Sequence, residues 1–299
     1  MTNSAISLFL NPTAGRGRAG KTGSALSNLL TSNGVEHTVI ESTASGELEA
    51  KVRAAVEGGA GRLLVAGGDG SVHEAVNGIL LSGRSAELGV VPMGTGNDFA
   101  KASTIPVHWE DAAILLADRL RSGMPARGID IGRVNGRYFA NSAGIGIDAR
   151  VTGIAQKIHL PIGDLIYLVA ILQALWSRVS TPNLTIKFGD VTIDGPATLV
   201  SVSNGAWVGG MFQIAPRAIN DDGELDLVIV DPVTRLRILR LLPKLINGSH
   251  MDEPEMHYHR IEQCDIVAAA EVPSHLDGEI QPSQTHFRVE LITGGLALL

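Results

Sequence analysis

The chain has 299 residues, 44% of them hydrophobic and 18% charged, which is enough apolar material for two domains and too much for disorder. Its formal charge of −7 argues against a nucleic-acid partner, and its single cysteine excludes an intrachain disulfide and fits a reducing compartment. Glycine is in excess, 35 residues against a usual share of ~7%; with no Gly-X-Y period, collagen is excluded and the glycines belong at particular backbone positions.

The first half alternates strand and helix signals. Ile6–Leu10 reads as a strand, Gly20–Leu30 as a helix, His37–Glu41 as a strand and Glu47–Val56 as a helix. Arg62–Ala66 reads as a strand before a helix that begins at Val72 and runs through Leu81; Leu88–Pro92 is a strand and Glu110–Arg121 a helix. This alternation predicts a parallel sheet with helices on both faces and a ligand site at the carboxyl ends of its strands. Near Arg127 the pattern changes. Ile129–Val134 and Arg137–Asn141 flank Asn135-Gly136, a hairpin signal. Strand-like runs follow at Leu184–Phe188, Thr198–Val202, Leu225–Val230, Ile261–Ala268 and Phe287–Leu291, interrupted by helical stretches at Leu165–Trp176 and Leu236–Ile246. This predicts a mostly antiparallel β domain. The expected boundaries are 1–134 and 135–287, with a segment at about 288–299 as a candidate to return to the first domain.

Met1–Leu10 lacks the basic start of a leader, and Leu165–Trp176 falls short of the ~20 residues that span a bilayer. The expectation is a soluble, cytoplasmic protein, at most peripheral to membranes. The acidic surplus is lopsided: residues 1–150 hold 14 basic and 14 acidic groups and the remainder 10 and 17.

The glycines cluster just after predicted strands. Arg62–Ala66 runs into Gly67-Gly68-Asp69-Gly70-Ser71, and Val90-Val91-Pro92 runs into Gly94-Thr95-Gly96-Asn97-Asp98. Such loops let backbone amides approach an anion, and the following helix offers further N–H groups. With an aspartate in each, the pair suggests a polyphosphate and a divalent cation; tight turns with Asp as a helix cap are the plainer alternative. Gly15 through Gly20-Lys21-Thr22 also matches the P-loop pattern, and Gly15-Arg16-Gly17-Arg18-Ala19-Gly20, with Glu41 further on, matches the dinucleotide pattern. Both want the first glycine nearer the strand end than Asn11-Pro12-Thr13-Ala14 allows. Cys264 reads as a buried, inert thiol, and His257 with His259 as a solvated strand face lacking a third metal ligand.

Asn11-Pro12-Thr13-Ala14-Gly15 and the two glycine loops resemble the diacylglycerol-kinase-type lipid kinases. Ile129-Asp130-Ile131-Gly132, Asn141 through Gly146, and His275-Leu276-Asp277-Gly278-Glu279 continue the match over essentially the whole chain. Ser71 stands where the family usually has Thr and keeps the hydroxyl. The Gly-Gly-Asp-Gly loop alone is shared with NAD kinases and phosphofructokinases. The resemblance implies an N-terminal phosphofructokinase-like three-layer α/β domain, a C-terminal β-sandwich, and ATP in the cleft between them. It implies that Asn11, Pro12, Thr13, Ala14, Gly15, Thr43, Gly68, Asp69, Gly70, Ser71, Glu74 and Thr95 line the nucleotide. Glu279 matches the family's general base, and Asp69, Asp98, Asp130 and Asp277 its other active-site carboxylates. Asp222, with the carbonyls of Ile219 and Glu224, matches its accessory magnesium site.

The expected chemistry is phosphoryl transfer to a hydroxyl of diacylglycerol or a related lipid. Glu279 acts as base, and Asp69, with Asp98 and Asp130, positions Mg²⁺ directly or through water. Asp277 and Glu279, two apart, face one side if the segment is extended; a polar turn around Gly278 is the alternative. For the bilayer contact that a lipid acceptor requires, two segments are candidates: the apolar Leu165–Trp176, and Leu236–Ile246 with Arg237, Arg240 and Lys244 on one face. Residence is then expected to be cytoplasmic and transiently at the inner face of the membrane, with a homodimer left open. Two rival functions stand beside this one: a P-loop NTPase using Lys21, and a catalytically silent lipid- or nucleotide-binding regulator on the same fold.

Overall fold

The computed structural model describes residues 6–44, 46–158, 163, 165–176 and 179–299. The first five residues of the Met1–Leu10 stretch lie outside this set. The chain forms two compact units, Met1–Ile129 with Gly294–Leu299, and Asp130–Thr293.

The first unit is an alternating α/β layer structure. Its elements are β1 (Ile6–Leu10), α1 (Ala14–Ser32), β2 (His37–Glu41), α2 (Glu47–Glu57), β3 (Arg62–Gly67), α3 (Asp69–Leu81), β4 (Glu87–Pro92), α4 (Asp98–Ala102) and α5 (Trp109–Ser122). Four of its strand pairings are parallel: β2 with β1, β1 with β3, β3 with β4, and Ala297 and Leu298 of the last strand with Glu87 and Leu88. Helix α1 packs with α5 and α2 with α3. Leu63, Leu64, Val65 and Ala66 are fully buried, as a parallel strand covered on both faces requires. The strand order reverses direction between β1 and β3, so the loops leaving those two strands flank the switch point where ligands bind such sheets.

Two helices start earlier than their apolar periodicity predicts. Helix α3 begins at Asp69 rather than Val72, so Asp69, Gly70 and Ser71 form its first turn. Helix α1 begins at Ala14 rather than Gly20, but Gly15, Arg16 and Gly17 have left-handed backbone angles, so a kinked turn precedes the regular helix. Gly20 and Gly23 are packing glycines. A Cβ on Gly20 would lie 3.0 Å from the Pro12 carbonyl, and one on Gly23 2.6 Å from Leu10.

The second unit is β-rich. It comprises β5 (Arg127–Val134, which enters from the first unit), β6 (Arg137–Phe139), β7 (Ser142–Gly146), α6 (Ile147–Ala155), α7 (Leu165–Trp176), β8 (Asn183–Phe188), β9 (Val191–Pro196), β10 (Leu199–Ser203), the short pair β11 (Trp207–Val208) and β12 (Phe212–Gln213), β13 (Leu225–Val230), α8 (Arg235–Asn247), β14 (Met256–Ile261), β15 (Gln263–Leu276) and β16 (Glu279–Leu298). The order β14-β13-β10-β7-β15 is antiparallel throughout. Strand β15 is shared: Asp265–Ala268 pair with β8, and Ser274–Leu276 pair with β7 after register shifts around Val272. Those bulges let one long strand serve both layers of a sandwich. Phe139, Val200, Leu225, Ile266 and Phe287 fill the core between the layers.

The 261–268 run is therefore not one strand. Ile261 closes β14, and the chain turns at Glu262 before β15 begins. The second unit starts at Asp130 rather than after 134, because Asp130 donates its N–H to the Asn220 carbonyl (2.7 Å) and accepts the Gly223 N–H (2.8 Å).

Candidate active site

In the first unit three loops meet at the carboxyl end of the sheet. Asn11, leaving β1, accepts the N–H and hydroxyl of Thr13 on Oδ1 (3.1 and 2.8 Å) and donates from Nδ2 to the Ser71 hydroxyl (3.0 Å). Serine keeps the hydroxyl this contact needs. The loops after β3 and β4 touch backbone to backbone: a Cβ on Gly94 would fall 2.5 Å from the Gly68 Cα, and one on Gly15 2.3 Å from the Met93 carbonyl. Asn97, itself left-handed, folds the third loop by accepting the Gly94 N–H at 2.9 Å. Asp69 accepts the Phe99 N–H at 3.0 Å, tying the start of α3 to that of α4, where Asp98 is buried. Arg18 donates to the Gly94 carbonyl at 2.9 Å, a support that the motif reading missed. The result is a cradle of close backbone amides and a helix N-terminus, suited to phosphate oxygens. Pro12, Ala14, Gly68 and Gly70 lie along it half-buried, with Thr95 exposed.

Gly94→Ala is expected to force the two loops apart, since backbone rather than a flexible side chain blocks the new methyl. Overpacking of this kind costs about 1–3 kcal/mol. ATP affinity should fall roughly 10-fold or more by calorimetry; unchanged affinity would remove the cradle from nucleotide binding.

Two residues named for the nucleotide carry other work. Glu74 accepts the N–H groups of Gly46 (2.9 Å), Leu48 (3.0 Å) and Glu49 (3.3 Å), capping α2. Thr43 donates its hydroxyl to Glu47 at 2.8 Å; the hydrogen bond from Lys51, with those from Thr43, holds that carboxyl down at about 2. Lys21 lies exposed on α1, inside a regular turn rather than in a phosphate-wrapping loop.

In the second unit the family-matched carboxylates hold backbone. Asp277 accepts N–H groups from Ala140 (2.9 Å), Asn141 (2.8 Å) and Ser142 (3.0 Å). Asn204 donates to the carbonyls of Asp130 (2.7 Å) and Ala140 (2.8 Å), so Asp130, the 140–142 segment and the Asp277 turn form one hydrogen-bonded lattice. Asp277 and Glu279 do not share a face of an extended segment. Leu276 pairs with Glu279, and Asp277 (φ 51°) and Gly278 (φ 86°) are the two central residues of a hairpin turn. Glu279 opens β16, half-buried.

At the 219–224 turn, Asp222 pairs with Arg260 and accepts the Glu224 N–H at 3.2 Å, and Glu224 pairs with the same guanidinium at 2.5 Å. Asp222 and the carbonyls of Ile219 and Glu224 are oxygen donors of the kind Mg²⁺ takes. Arg260 already pairs with both carboxylates, one positive charge against two negative ones, so a cation at this turn would compete with its guanidinium. Among the described residues no three carboxylate, imidazole or thiol side chains converge as a metal cage.

His257 pairs with Asp231 at 3.0 Å, while His259 lies against the Phe188 ring. Cys264 is buried, which pushes its thiol up to about 12 and leaves it inert. A further feature had no motif to announce it. An apolar cavity of ≈ 100 Å³ in the second unit is lined by residues of α6, α7, α8 and the sheet, among them Val151, Tyr167, Ile171, Phe212, Leu241 and Leu242.

Residues 5–133 match the diacylglycerol kinase catalytic domain family, and residues 141–299 the YegS C-terminal NAD kinase beta sandwich-like domain family. A diacylglycerol kinase of Bacillus subtilis (strain 168) is 30% identical over 91% of this chain and 88% of its own length. One from Mycobacterium tuberculosis is 31% identical over 87% and 84%. A Chromohalobacter salexigens protein named "Probable lipid kinase YegS-like" is 32% identical over 82% and 78%. A crystal structure of a diacylglycerol kinase from Bacillus anthracis str. Sterne shares the fold, with a TM-score of 0.79 at 22% identity, covering 100% of this chain and 98% of that one. With both halves matched in order and the β1, β3 and β4 loops forming one cradle, the chain belongs to the diacylglycerol kinase family and is a lipid kinase.

Proposed function

We propose that the protein transfers the γ-phosphate of ATP, taken as its magnesium complex, to a hydroxyl of diacylglycerol or a closely related lipid. The observation that carries the acceptor's class is the apolar cavity of the second unit, whose ≈ 100 Å³ is of the order of the ~150 Å³ hydrophobic cavity that admits benzene. That lining suits a stretch of hydrocarbon better than a polar, water-soluble acceptor.

Glu279 takes the hydroxyl proton as the lipid oxygen bonds to the γ-phosphorus and the bond from phosphorus to the β,γ-bridging oxygen breaks, releasing ADP. The glycine-loop amides and the N-terminus of α3 hold the phosphates, because a loose phosphoryl transition state asks for positioning and charge stabilisation. Magnesium on the phosphates supplies the neutralising charge. Asp277, Asp130 and Asn204 keep the loops around Glu279 in place.

Two helices supply the bilayer contact. On α7, Leu165, Val169, Leu172 and Trp176 are exposed along one stripe, while Tyr167 and Ile171 line the cavity. On α8, Leu236, Leu239 and Ile246 face outward, while Ile238, Leu241, Leu242 and Leu245 line it. Two of the three basic residues on the expected face are already paired: Arg237 with Glu253 and Glu255, and Lys244 with Glu253. Arg235 and Arg240 stay exposed on α8 and suit anionic headgroups. Among the described residues no helix is long and apolar enough to cross a membrane.

Flotation with anionic vesicles carrying diacylglycerol, ceramide or a sphingoid base, followed by mass spectrometry of the lipids, tests both halves of this reading. The protein should float and phosphorylate diacylglycerol. Joint Leu236→Glu and Trp176→Glu changes should lower flotation and rate, leaving ATP binding unchanged. Equal phosphorylation of free glycerol would overturn the lipid acceptor, and flotation undiminished by the double change would overturn the docking surface.

A further inference from the structure

We infer that the buried Asp148–His275 pair, with Gln156, is a positioning device through which helix α6 holds the turn that carries Glu279; the inference rests on the kinase reading above.

The turn's Gly278 peptide needs partners, because the hairpin's cross-strand pairing resumes only at Leu276 and Glu279. Its N–H donates to Nδ1 of His275 at 3.2 Å. An Nδ1 that accepts carries no proton, so the ring proton sits on Nε2, which faces Oδ2 of Asp148 at 2.9 Å. His275 is 1% exposed and Asp148 7%, so the ring and its carboxylate partner are shielded from bulk solvent. The Gly278 carbonyl is held as well: Nε2 of Gln156, just past the end of α6, donates to it at 2.9 Å. Both polar groups of that residue are thus fastened to one helix, by way of Asp148 near its start and Gln156 after its end.

The backbone is shaped to admit this. A Cβ on Gly144 would fall 2.3 Å from Nε2 of His275 and 2.4 Å from Oδ2 of Asp148. Any side chain there would occupy the hydrogen bond itself. Asp277 fastens the same turn from the other side through its three bonds to residues 140–142. Glu279 therefore follows a turn with little freedom to move.

Helix α6 also lines the cavity assigned above to the acceptor. Ile147, Asp148 and Val151 line the apolar cavity. A hydrocarbon chain in that cavity packs on the element that sets the base, so chain binding and base placement share one wall. This makes Asp148, His275 and Gln156 positioning residues.

Two substitutions of His275 separate positioning from mere stability. His275→Gln places an amide nitrogen near Nε2 and keeps Asp148 partnered, but it removes the acceptor for the Gly278 N–H. His275→Asn places an amide oxygen near Nδ1 and keeps that acceptor, but it leaves Asp148 buried without its donor. The expected result is a crossed order. The Gln variant should melt higher than the Asn variant, yet its kcat should fall roughly 10- to 100-fold, with the KM for ATP unchanged. The Asn variant, although less stable, should keep a kcat at least ten-fold above the Gln variant. A kcat order that follows the melting order, or wild-type kcat in the Gln variant, would overturn the inference. If the wild-type protein labels no lipid at all, the kinase reading fails first. The pair is then judged by ¹⁵N chemical shifts of His275 at neutral pH: protonated Nε2 with bare Nδ1 supports the geometry, and a protonated Nδ1 contradicts it.

Discussion

Glu279→Gln should reduce lipid phosphorylation by about 10²- to 10⁴-fold, the usual contribution of a general base, and leave ATP affinity at its wild-type value. Glutamine keeps the size and hydrogen-bonding reach of glutamate but cannot accept a proton. The residue opens β16 immediately after a turn clamped by Asp277 and His275, so the substitution has no slack through which another group replaces the lost base. The cradle proposed for the nucleotide is built from the loops after β1, β3 and β4, none of which contains Glu279, and this is why binding should survive. Initial rates beside calorimetric ATP titration read the two effects separately. Wild-type turnover in the variant would remove Glu279 from the chemistry, and lost ATP binding would make its role structural.

Asp277→Ala should destabilise the second unit by several times the cost of an ordinary surface change. The carboxylate accepts three backbone N–H groups, from Ala140, Asn141 and Ser142, and its own N–H donates to the Ser142 carbonyl at 2.8 Å. Hydrogen bonds to a charged group are worth about 1.5–3 kcal/mol each, and the site is half-buried, so water recovers part of the loss. Alanine must also adopt φ near 51°, a left-handed angle that Asp and Asn tolerate far better. The net expectation is about 2–4 kcal/mol, or a melting point roughly 5–15 °C lower. Asp277→Asn should fall between. It keeps the left-handed angle and one acceptor oxygen, but it turns an NH₂ group toward a backbone donor. Thermal melts of the three proteins decide the matter, and an alanine variant that melts with the wild type would contradict the clamp.

The parts of the fold legible in the sequence were those governed by local pattern. The parallel strands of the first unit lie within a residue of where their apolar runs place them, and the Asn135-Gly136 turn joins Val134 to Arg137 as the dipeptide predicts. The close approach of the glycine loops was legible because it depends on contiguous backbone without side chains. Groups whose partners are remote in sequence were not. Glu74 reads as a nucleotide contact until the fold brings the start of α2 to its carboxylate. Arg237 and Lys244 look like a basic membrane face until Glu253 and Glu255 arrive beside them. The run 261–268 looks continuous because its apolar residues serve two strands whose separation only the sheet pairing reveals. Asp148 had no signal at all: it lies just beyond a recognisable segment, and its partner His275 is distant in sequence. The cavity was equally silent, since pockets for hydrocarbon are assembled from scattered aliphatic side chains.

The measurement that bears most directly on the central claim is transfer of label from γ-labelled ATP to diacylglycerol in vesicles, followed by extraction and identification of the labelled species. The account predicts label in the organic phase as the phosphorylated lipid, appearing with ADP in equal amounts and absent from reactions run with the Glu279→Gln protein. Release of labelled inorganic phosphate alone, with the lipid unlabelled, would contradict it.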